Sequence, residues 1–142
     1  MMTLWHTARD LLGEFGRRHG LDITLEEGGV CLLGTAHGLD LQLVPDEMAG
    51  CLRALAVIAL EPEVEQRAGL YAALLNANLF GAVTGGGSLA LHPDSGDILY
   101  QHAYALENAD PDSFAAFFAV VCEAACALRE ACRKIVEGEN HG

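Results

Sequence analysis

The segment Leu74–Leu106, which reads LLNANLFGAVTGGGSLALHPDSGDILYQHAYAL, constrains the fold more than any other part of the chain. The asparagines and glycine of NANLFG (76–81) tolerate left-handed backbone and predict the end of a helix. The three glycines at 85–87 predict a flexible corner. PDSG (93–96) predicts a tight turn, because proline presets φ, aspartate bonds its own backbone and glycine allows positive φ. Alternating apolar residues on both sides of this turn predict a β-hairpin.

Three amphipathic helices are predicted along the chain. Apolar residues recur every three or four positions in residues 3–19, 61–75 and 110–138, which is the spacing of one helix face. Pro62 and Pro111 are placed in the first turns of the second and third helices, where proline removes no hydrogen bond. The buried stripe of the second helix is predicted to comprise Val64, Ala68, Tyr71 and Leu75, widened by Leu70 and Leu74.

Short strands separated by turns are predicted before the second helix. Gly28-Gly29 and His37-Gly38 indicate hairpin turns, and Pro45 is predicted to end a strand. The predicted strands cover residues 22–26, 30–33, 39–43 and 52–60, the last with a helix as the alternative. The resulting order is α-β-β-β-(β)-α-β-β-α. Hairpins rather than βαβ units dominate it, so we expect an α+β fold with helices packed against an antiparallel sheet.

Length and charge limit the classes of function. The chain has 142 residues, enough for one compact domain that spans residues 1–142. It contains 20 acidic and 8 basic residues, which gives a formal net charge of −12. Because phosphate binding requires clustered Lys and Arg, this balance argues against a nucleic-acid partner. It favours solubility and a basic or apolar protein partner.

Cysteine content and hydropathy indicate a cytoplasmic protein. Charges at Arg9, Asp10 and Glu14 interrupt any N-terminal signal sequence, and no run approaches the roughly 18 apolar residues of a membrane span. We therefore expect reduced thiols and no membrane insertion. Cys122 and Cys126, one helical turn apart, are interpreted as small buried residues, and without a CxxC pair no metal or other cofactor is expected. The odd number of cysteines comprises Cys31, Cys51, Cys122, Cys126 and Cys132.

The motifs that suggest catalysis are all incomplete. TGGGS (84–88) lacks the lysine and the following helix of a phosphate-binding loop. Asp94-Ser95-Gly96 matches the tripeptide of aspartic proteases, but it lies in the predicted hairpin turn, and such an enzyme needs two aspartates that share a proton. No Gly-x-Ser-x-Gly elbow holds a nucleophile. We expect no enzymatic activity, and a small enzyme is the minor alternative.

Three motifs in the second half of the chain follow one another in an ordered succession: LLNANLF (74–80), LALHPDSG (89–96) and a phenylalanine-rich helix from Phe114 onward. This succession resembles the class I (CesT/SycE-type) chaperones of bacterial type III secretion. Element order, length and acidic composition agree with that family over nearly the whole chain. His92 and Ser95 depart from its pattern, in which an acidic residue and a threonine are usual.

The resemblance implies a cytosolic, homodimeric chaperone that acts without ATP and contributes to virulence. Such a chaperone would bind the N-terminal segment of a secreted effector, keep it extended and present it for export. The physics agrees with this function, because a sheet edge can pair the backbone of an unfolded segment while apolar patches take its alternate side chains. The alternative is a binding or regulatory domain of the same fold with another protein partner.

Two sets of apolar residues are predicted to form the contact surfaces. The client is expected to contact Leu4, Trp5, Ala8, Leu12, Ile23, Leu25, Leu33, Leu39 and Leu41. The dimer interface is expected to contain Tyr71, Leu89, Leu91, Leu99 and Tyr100. For each residue the alternative is a position in the intramolecular core, and part of the client set must be core because folding itself requires one strand face and one helix stripe.

Overall fold

The structure is a computed structural model that describes residues 4–21, 23, 30–35 and 38–140, without the side chains of Leu4, Glu139 and Asn140. The elements in these ranges are α1 (Leu4–His19), β1 (Cys31–Gly34), β2 (Asp40–Asp46), β3 (Cys51–Ala59), α2 (Val64–Ala77), a short 3-10 segment (Leu79–Gly81), β4 (Ser88–Leu91), β5 (Ile98–Ala105) and α3 (Pro111–Asn140). The α+β class and the order of the elements are confirmed. The strand predicted at 22–26, apart from Ile23, and the turn at Gly28-Gly29 lie outside the described residues.

The strands form one antiparallel sheet with the order β1-β2-β3-β5-β4. The apolar run predicted at 52–60 is therefore a strand, and it lies at the centre of the sheet as β3. The β4–β5 hairpin turns at PDSG as predicted. Gly96 has a φ of 77°, and the His92 amide donates to the Asp97 carbonyl over 2.9 Å. Among the described residues, β1 and β4 lie at the two edges of the sheet.

All three helices lie on one face of the sheet. Along β2, Leu41 and Leu43 are buried whereas Asp40 and Gln42 are exposed, which is the period-two pattern of a half-covered strand. α3 crosses β3 and packs against α1, where the rings of Phe15 and Phe114 meet edge to face with centroids 5.0 Å apart. α2 contacts α3 and β4. The opposite face of the sheet carries no helix within the described part of the chain.

The second helix differs from its prediction in where it begins and which side it buries. It begins at Val64, two residues after Pro62. Val64 and Leu75, predicted to be buried, are exposed instead. Apolar residues with helical spacing lie on both sides of α2, so spacing alone did not identify the side that packs against α3 and β4. The buried residues of α2 are Gln66, Leu70 and Leu74.

The prediction that Pro45 ends a strand is wrong. β2 continues to Asp46, and Pro45 lies opposite Leu52 of β3. The pairing of β2 with β1 reaches only to Leu43, opposite Cys31. Within the described residues, the part of β2 beyond Leu43 pairs only with β3, so no described strand on its other side needs the N–H that proline lacks.

The third helix begins at Pro111, as its sequence predicts, and continues to Asn140. Contrary to the expectation that no segment approaches a membrane span, Pro111–Gly138 is long and apolar enough to cross a membrane by length and composition alone. That is weak evidence, because core helices of soluble proteins have the same property. In this fold α3 supplies Phe114, Val121 and Ala125 to the hydrophobic core.

Candidate functional site

A small apolar pocket lies between the end of α2 and the edge strand β4. Its volume is about 240 Å³. Leu70 and Leu74 turn toward the core, which leaves Leu75 71% exposed on the outer side of α2, and Leu91 of β4 is 44% exposed. The residues that line this α2–β4 pocket are Tyr71, Leu74, Leu75, Asn78, Leu89, Ala90 and Leu91. None of them carries a charge.

The corner that follows α2 extends this apolar surface. Leu79 and Val83 are exposed, and Phe80 is 94% exposed. Phe80 also has a φ of 61°, in the left-handed region that a bulky side chain rarely adopts. The amide of Gly86 closes the corner by donating to the carbonyl of Gly81 over 2.8 Å. A large aromatic side chain is therefore held in solvent two residues after Asn78, which lines the α2–β4 pocket.

The outer edge of β4 is hydrogen-bonded by residues of the same chain. The amide side chain of Asn78 donates to the Leu89 carbonyl over 3.1 Å and accepts from the Leu89 N–H over 2.7 Å. The Gly87 N–H donates to the Thr84 carbonyl over 3.1 Å, and the Thr84 hydroxyl donates to the Gly87 carbonyl over 2.6 Å. Gly87 and Leu89 point outward along this edge, and the N–H and C=O groups of both residues are therefore already hydrogen-bonded.

The corner is fixed to the core by Tyr100. Its hydroxyl donates to the Thr84 carbonyl over 2.7 Å, and both residues are fully buried. Burial raises the pKa of the Tyr100 phenol to about 12. His102, two residues along β5, approaches the Gly85 carbonyl with its Nε2 at 3.1 Å and packs its ring against Phe117. Both side chains therefore support the corner from within the fold.

A larger groove runs along the face of the sheet that carries no helix and extends as far as Arg129 of α3. It has a volume of about 630 Å³, and Leu32, Gln42, Leu55, Val57 and Leu99 are among the residues that line it. We call these five residues the sheet groove. Leu32 is 68% exposed and Val57 is 45% exposed. The groove combines apolar side chains from β1, β3 and β5 with the Gln42 amide, and its lining also includes Asp40, His92 and Arg129.

The edge strand β1 adjoins the sheet groove. The Thr35 amide donates to the Leu39 carbonyl over 3.0 Å, which marks Thr35 as a hydrogen-bonded pair partner of Leu39. Bonded and outward-facing residues alternate along an antiparallel strand, so the backbone groups of Leu32 and Gly34 point away from β2. Unlike the β4 edge, no side chain of the described residues forms a hydrogen bond with these outward groups.

The structure brings only part of the predicted dimer set together. Tyr71, Leu89 and Leu91 all line the α2–β4 pocket. Leu99 lies on the opposite face of the sheet, in the sheet groove. Tyr100 is fully buried, which corrects its prediction, because a side chain in the core of one chain cannot contact a second copy.

Most of the predicted client set belongs to the core. Trp5 and Ile23 are half-buried and pack against the core, the side chain of Leu4 is not described, and Leu25 lies outside the described residues. The remaining five are buried, which corrects their prediction as client contacts: Ala8, Leu12, Leu33, Leu39 and Leu41. The spacing of these residues identified a face that packs against something. In this fold that face lies under the helices, so the residues contact the core of their own chain.

Sequence reasoning missed the sheet groove and the exposed corner. The signal for the groove was that the run from Val30 to Leu33 and the strand β3 are apolar on both faces, although a half-covered sheet needs only one apolar face. The signal for the corner was Phe80 within NLFG, where Asn78 and Gly81 favour the end of the helix. Sequence reasoning placed Leu79 and Phe80 only in the LLNANLF motif and did not predict their exposure.

The motifs considered for catalysis or metal binding have structural positions. Asp94 and Ser95 lie in the hairpin turn, where their N–H groups donate to Nδ1 of His92 over 3.1 and 3.3 Å. Among the described residues there is no group of three or more His, Cys, Asp or Glu that could hold a metal ion. The five cysteines are free thiols. Burial, and secondly the neighbouring Cys126, raises the pKa of the Cys122 thiol to about 11.

Comparison with known families identifies the chain. The model of the Tir chaperone protein (CesT) family matches residues 10–129. The chain belongs to this family. The resemblance to class I type III secretion chaperones inferred from LLNANLF and LALHPDSG is thereby confirmed, and the fold and family are those of chaperones rather than enzymes. A comparison with curated protein sequences found no match.

Several solved structures share this fold, and some of them are chaperone complexes. The HopA1–SchA chaperone–effector complex contains a chain that is 21% identical, with a TM-score of 0.72 over 87% of this chain and 94% of that one. The ExsC–ExsE complex gives 19% identity and a TM-score of 0.75 over 91% and 96%. The type III secretion chaperone SycH of Yersinia pestis, in complex with a fragment of YscM2, gives 22% and 0.63 over 84% and 98%. At these identities the likeness concerns the fold.

Proposed function

We propose that the chain is a cytosolic, homodimeric chaperone that binds the N-terminal segment of a type III secreted effector and keeps it extended and competent for secretion. The observation that carries this proposal is the exposed sheet groove beside the β1 edge, in a chain of the Tir chaperone protein family. The similar solved structures are complexes, for instance SchA with the effector HopA1 and SycH with a fragment of YscM2. Five free thiols are consistent with the reducing cytosol.

The sheet groove and the β1 edge suit an extended client. An unfolded segment exposes both apolar side chains and unpaired backbone groups. The outward N–H and C=O groups of Leu32 and Gly34 can pair with such a backbone, while Val57 and Leu99 provide apolar contacts beside the strand. A folded client offers neither a free backbone edge nor a continuous row of apolar side chains, so this surface favours unfolded segments.

The α2–β4 pocket suits a second copy of the chain. The formal net charge of −12 makes two copies repel each other at most surfaces. The residues that line the pocket are uncharged and mostly apolar. A two-fold interface places the same patch on both subunits, so the patch contacts its own copy. Two uncharged apolar patches can meet in this way without electrostatic repulsion. This leaves the sheet groove on the other side of the sheet for the client.

Co-expression tests the client. Open reading frames encoded nearby are expressed as N-terminal fragments with the tagged chain, and the complexes are purified. We expect one or a few fragments to co-purify and to be rapidly degraded by protease when the chaperone is absent. Val57→Asp, which places a charge in the sheet groove, is expected to weaken recovery at least tenfold. Met48→Asp, at a fully exposed side chain in the β2–β3 turn, is the matched control.

Failure of this experiment has a defined meaning. If no fragment co-purifies, the chaperone function is wrong. If only folded proteins bind, the alternative of a binding or regulatory domain replaces it. Size-exclusion chromatography with light scattering tests the dimer separately, and a stable monomer at all concentrations would contradict the proposed homodimer.

A further inference from the structure

We propose that Phe80 of each copy inserts into the α2–β4 pocket of the other copy and is the principal anchor of the dimer. This inference rests on the homodimer proposed above and names the contact that holds it together. It starts from two features of one surface, an exposed aromatic side chain and an unfilled apolar pocket.

The pocket has the size and chemistry to take a phenyl ring. Cavities of about 150 Å³ lined by apolar side chains hold a benzene molecule, and this pocket measures about 240 Å³. Leucines from α2 and β4 supply most of its wall, and the Asn78 amide at its border is already committed to Leu89. An entering ring would therefore displace no hydrogen bond.

Phe80 has the exposure of an anchor and no role within its own chain that would explain it. Its side chain is 94% exposed although phenylalanine is usually buried. Its φ of 61° is unfavourable for a bulky residue. It follows Asn78, a pocket-lining residue, by only two positions, which places its backbone close to the pocket. Buried aromatic anchors that fill pockets dominate the affinity of most interfaces.

The closed β4 edge favours contact through side chains. Two copies that met by pairing their β4 strands would need the outward backbone groups of Gly87 and Leu89. Thr84 and Asn78 already bond these groups. Joining the strands would cost those intrachain bonds, whereas insertion of Phe80 costs none. In a two-fold dimer each substitution at Phe80 also removes two anchors at once, because the interface is isologous.

The test measures the dimer dissociation constant of Phe80→Ala by sedimentation or light scattering across a dilution series. We expect an increase of about 100-fold or more, because two anchors are truncated. Leu60→Ala is the matched control, since Leu60 is also a large, 75% exposed apolar side chain and lies outside the pocket. Circular dichroism and thermal unfolding confirm that both variants are folded.

A second measurement reports on the ring itself. Trp5 is the single tryptophan of the chain, so Trp5→Phe combined with Phe80→Trp places the only indole at position 80. Insertion predicts a blue shift of its emission as the protein is concentrated from monomer to dimer.

The outcomes separate the anchor from the dimer. A wild-type chain that stays monomeric overturns both the homodimer and the anchor. A wild-type dimer that Phe80→Ala leaves unchanged, or that Leu60→Ala weakens equally, overturns the anchor alone. So does an indole at position 80 that keeps its solvent-exposed emission in the dimer.

Discussion

The side-chain amide of Asn78 forms both hydrogen bonds to the backbone of Leu89 that a neighbouring strand would otherwise form, at 2.7 and 3.1 Å. The residue that follows α2 thereby behaves as a one-residue strand beside β4. This arrangement joins the helix end to the sheet edge at the border of the α2–β4 pocket. It also makes the two sheet edges unequal, because β1 has no such side chain among the described residues.

Asn78→Ala is expected to lower the free energy of unfolding by about 1–3 kcal/mol. The substitution removes two hydrogen bonds and leaves the Leu89 N–H and C=O without their partner. Urea unfolding followed by circular dichroism measures the change. Asn76→Ala is the control, since Asn76 is an exposed asparagine of the same helix end, and it should change the stability by less than about 0.5 kcal/mol. Equal effects of both substitutions would contradict the bridge.

Gly87→Ala is expected to destabilise the fold by about 3 kcal/mol or more, at the upper end of overpacking costs. A Cβ at this position would lie 2.5 Å from the Gln101 carbonyl oxygen and 2.6 Å from the Tyr100 hydroxyl. In contrast, Gly13→Ala in the middle of α1 meets nothing closer than 3.8 Å and should stabilise by about 1 kcal/mol, because alanine is the better helix former. Thermal unfolding of the two variants should therefore shift in opposite directions.

Tyr100 is expected to make the fold sensitive to alkaline pH. The folded-state pKa of about 12 exceeds the ordinary value of about 10. The protonated phenol is thus favoured by folding, and its contribution is fully present below pH 10 and is lost as the pH rises toward 12. The loss amounts to about 3 kcal/mol when complete, at about 1.4 kcal/mol per pKa unit.

Tyr100→Phe isolates this contribution. At pH 8 the variant should be less stable by about 1 kcal/mol, because the Thr84 carbonyl loses its donor. Between pH 10 and 12 the difference should shrink and then reverse, since phenylalanine cannot ionise. Urea titrations at each pH measure it, with Tyr71→Phe as the control on the outer side of α2. A stability difference independent of pH would contradict the buried phenol.

Cys122 is expected to be a slow nucleophile in the folded protein. With a pKa of about 11 its thiolate fraction at pH 8 falls below that of a free cysteine by on the order of 100-fold. Alkylation with iodoacetamide followed by peptide mass spectrometry gives its rate. Cys126→Ala removes the second cause of the raised pKa, so labelling of Cys122 should accelerate modestly. If Cys122 reacts as fast in the native protein as in urea, the prediction is wrong.

Short-range backbone preferences made the structure of the central segment predictable from the sequence. PDSG forms the expected turn because proline, aspartate and Gly96 each favour the backbone that the turn needs. Pro111 begins α3 for the same kind of reason. The Tir chaperone protein family was recognised from this segment, because its motifs record turns and helix ends that short-range interactions specify.

The contact residues were predicted less well because exposure is decided by the whole fold. α2 has apolar residues on two sides, and only its docking against α3 and β4 determined that Leu74 faces inward and Leu75 outward. Leu33 and Leu32 are adjacent leucines of one strand, yet the first lies under the helices and the second in the sheet groove.

Periodicity, turn residues and motifs that act over a few positions were enough to predict the class of fold, the order of its elements and the family. Which apolar residues are core, which are surface and which described edge of the sheet is closed depended on how the helices pack on the sheet. Those properties depend on which face the helices cover and on contacts between residues such as Asn78 and Leu89 or Thr84 and Tyr100, which packing brings together across the corner.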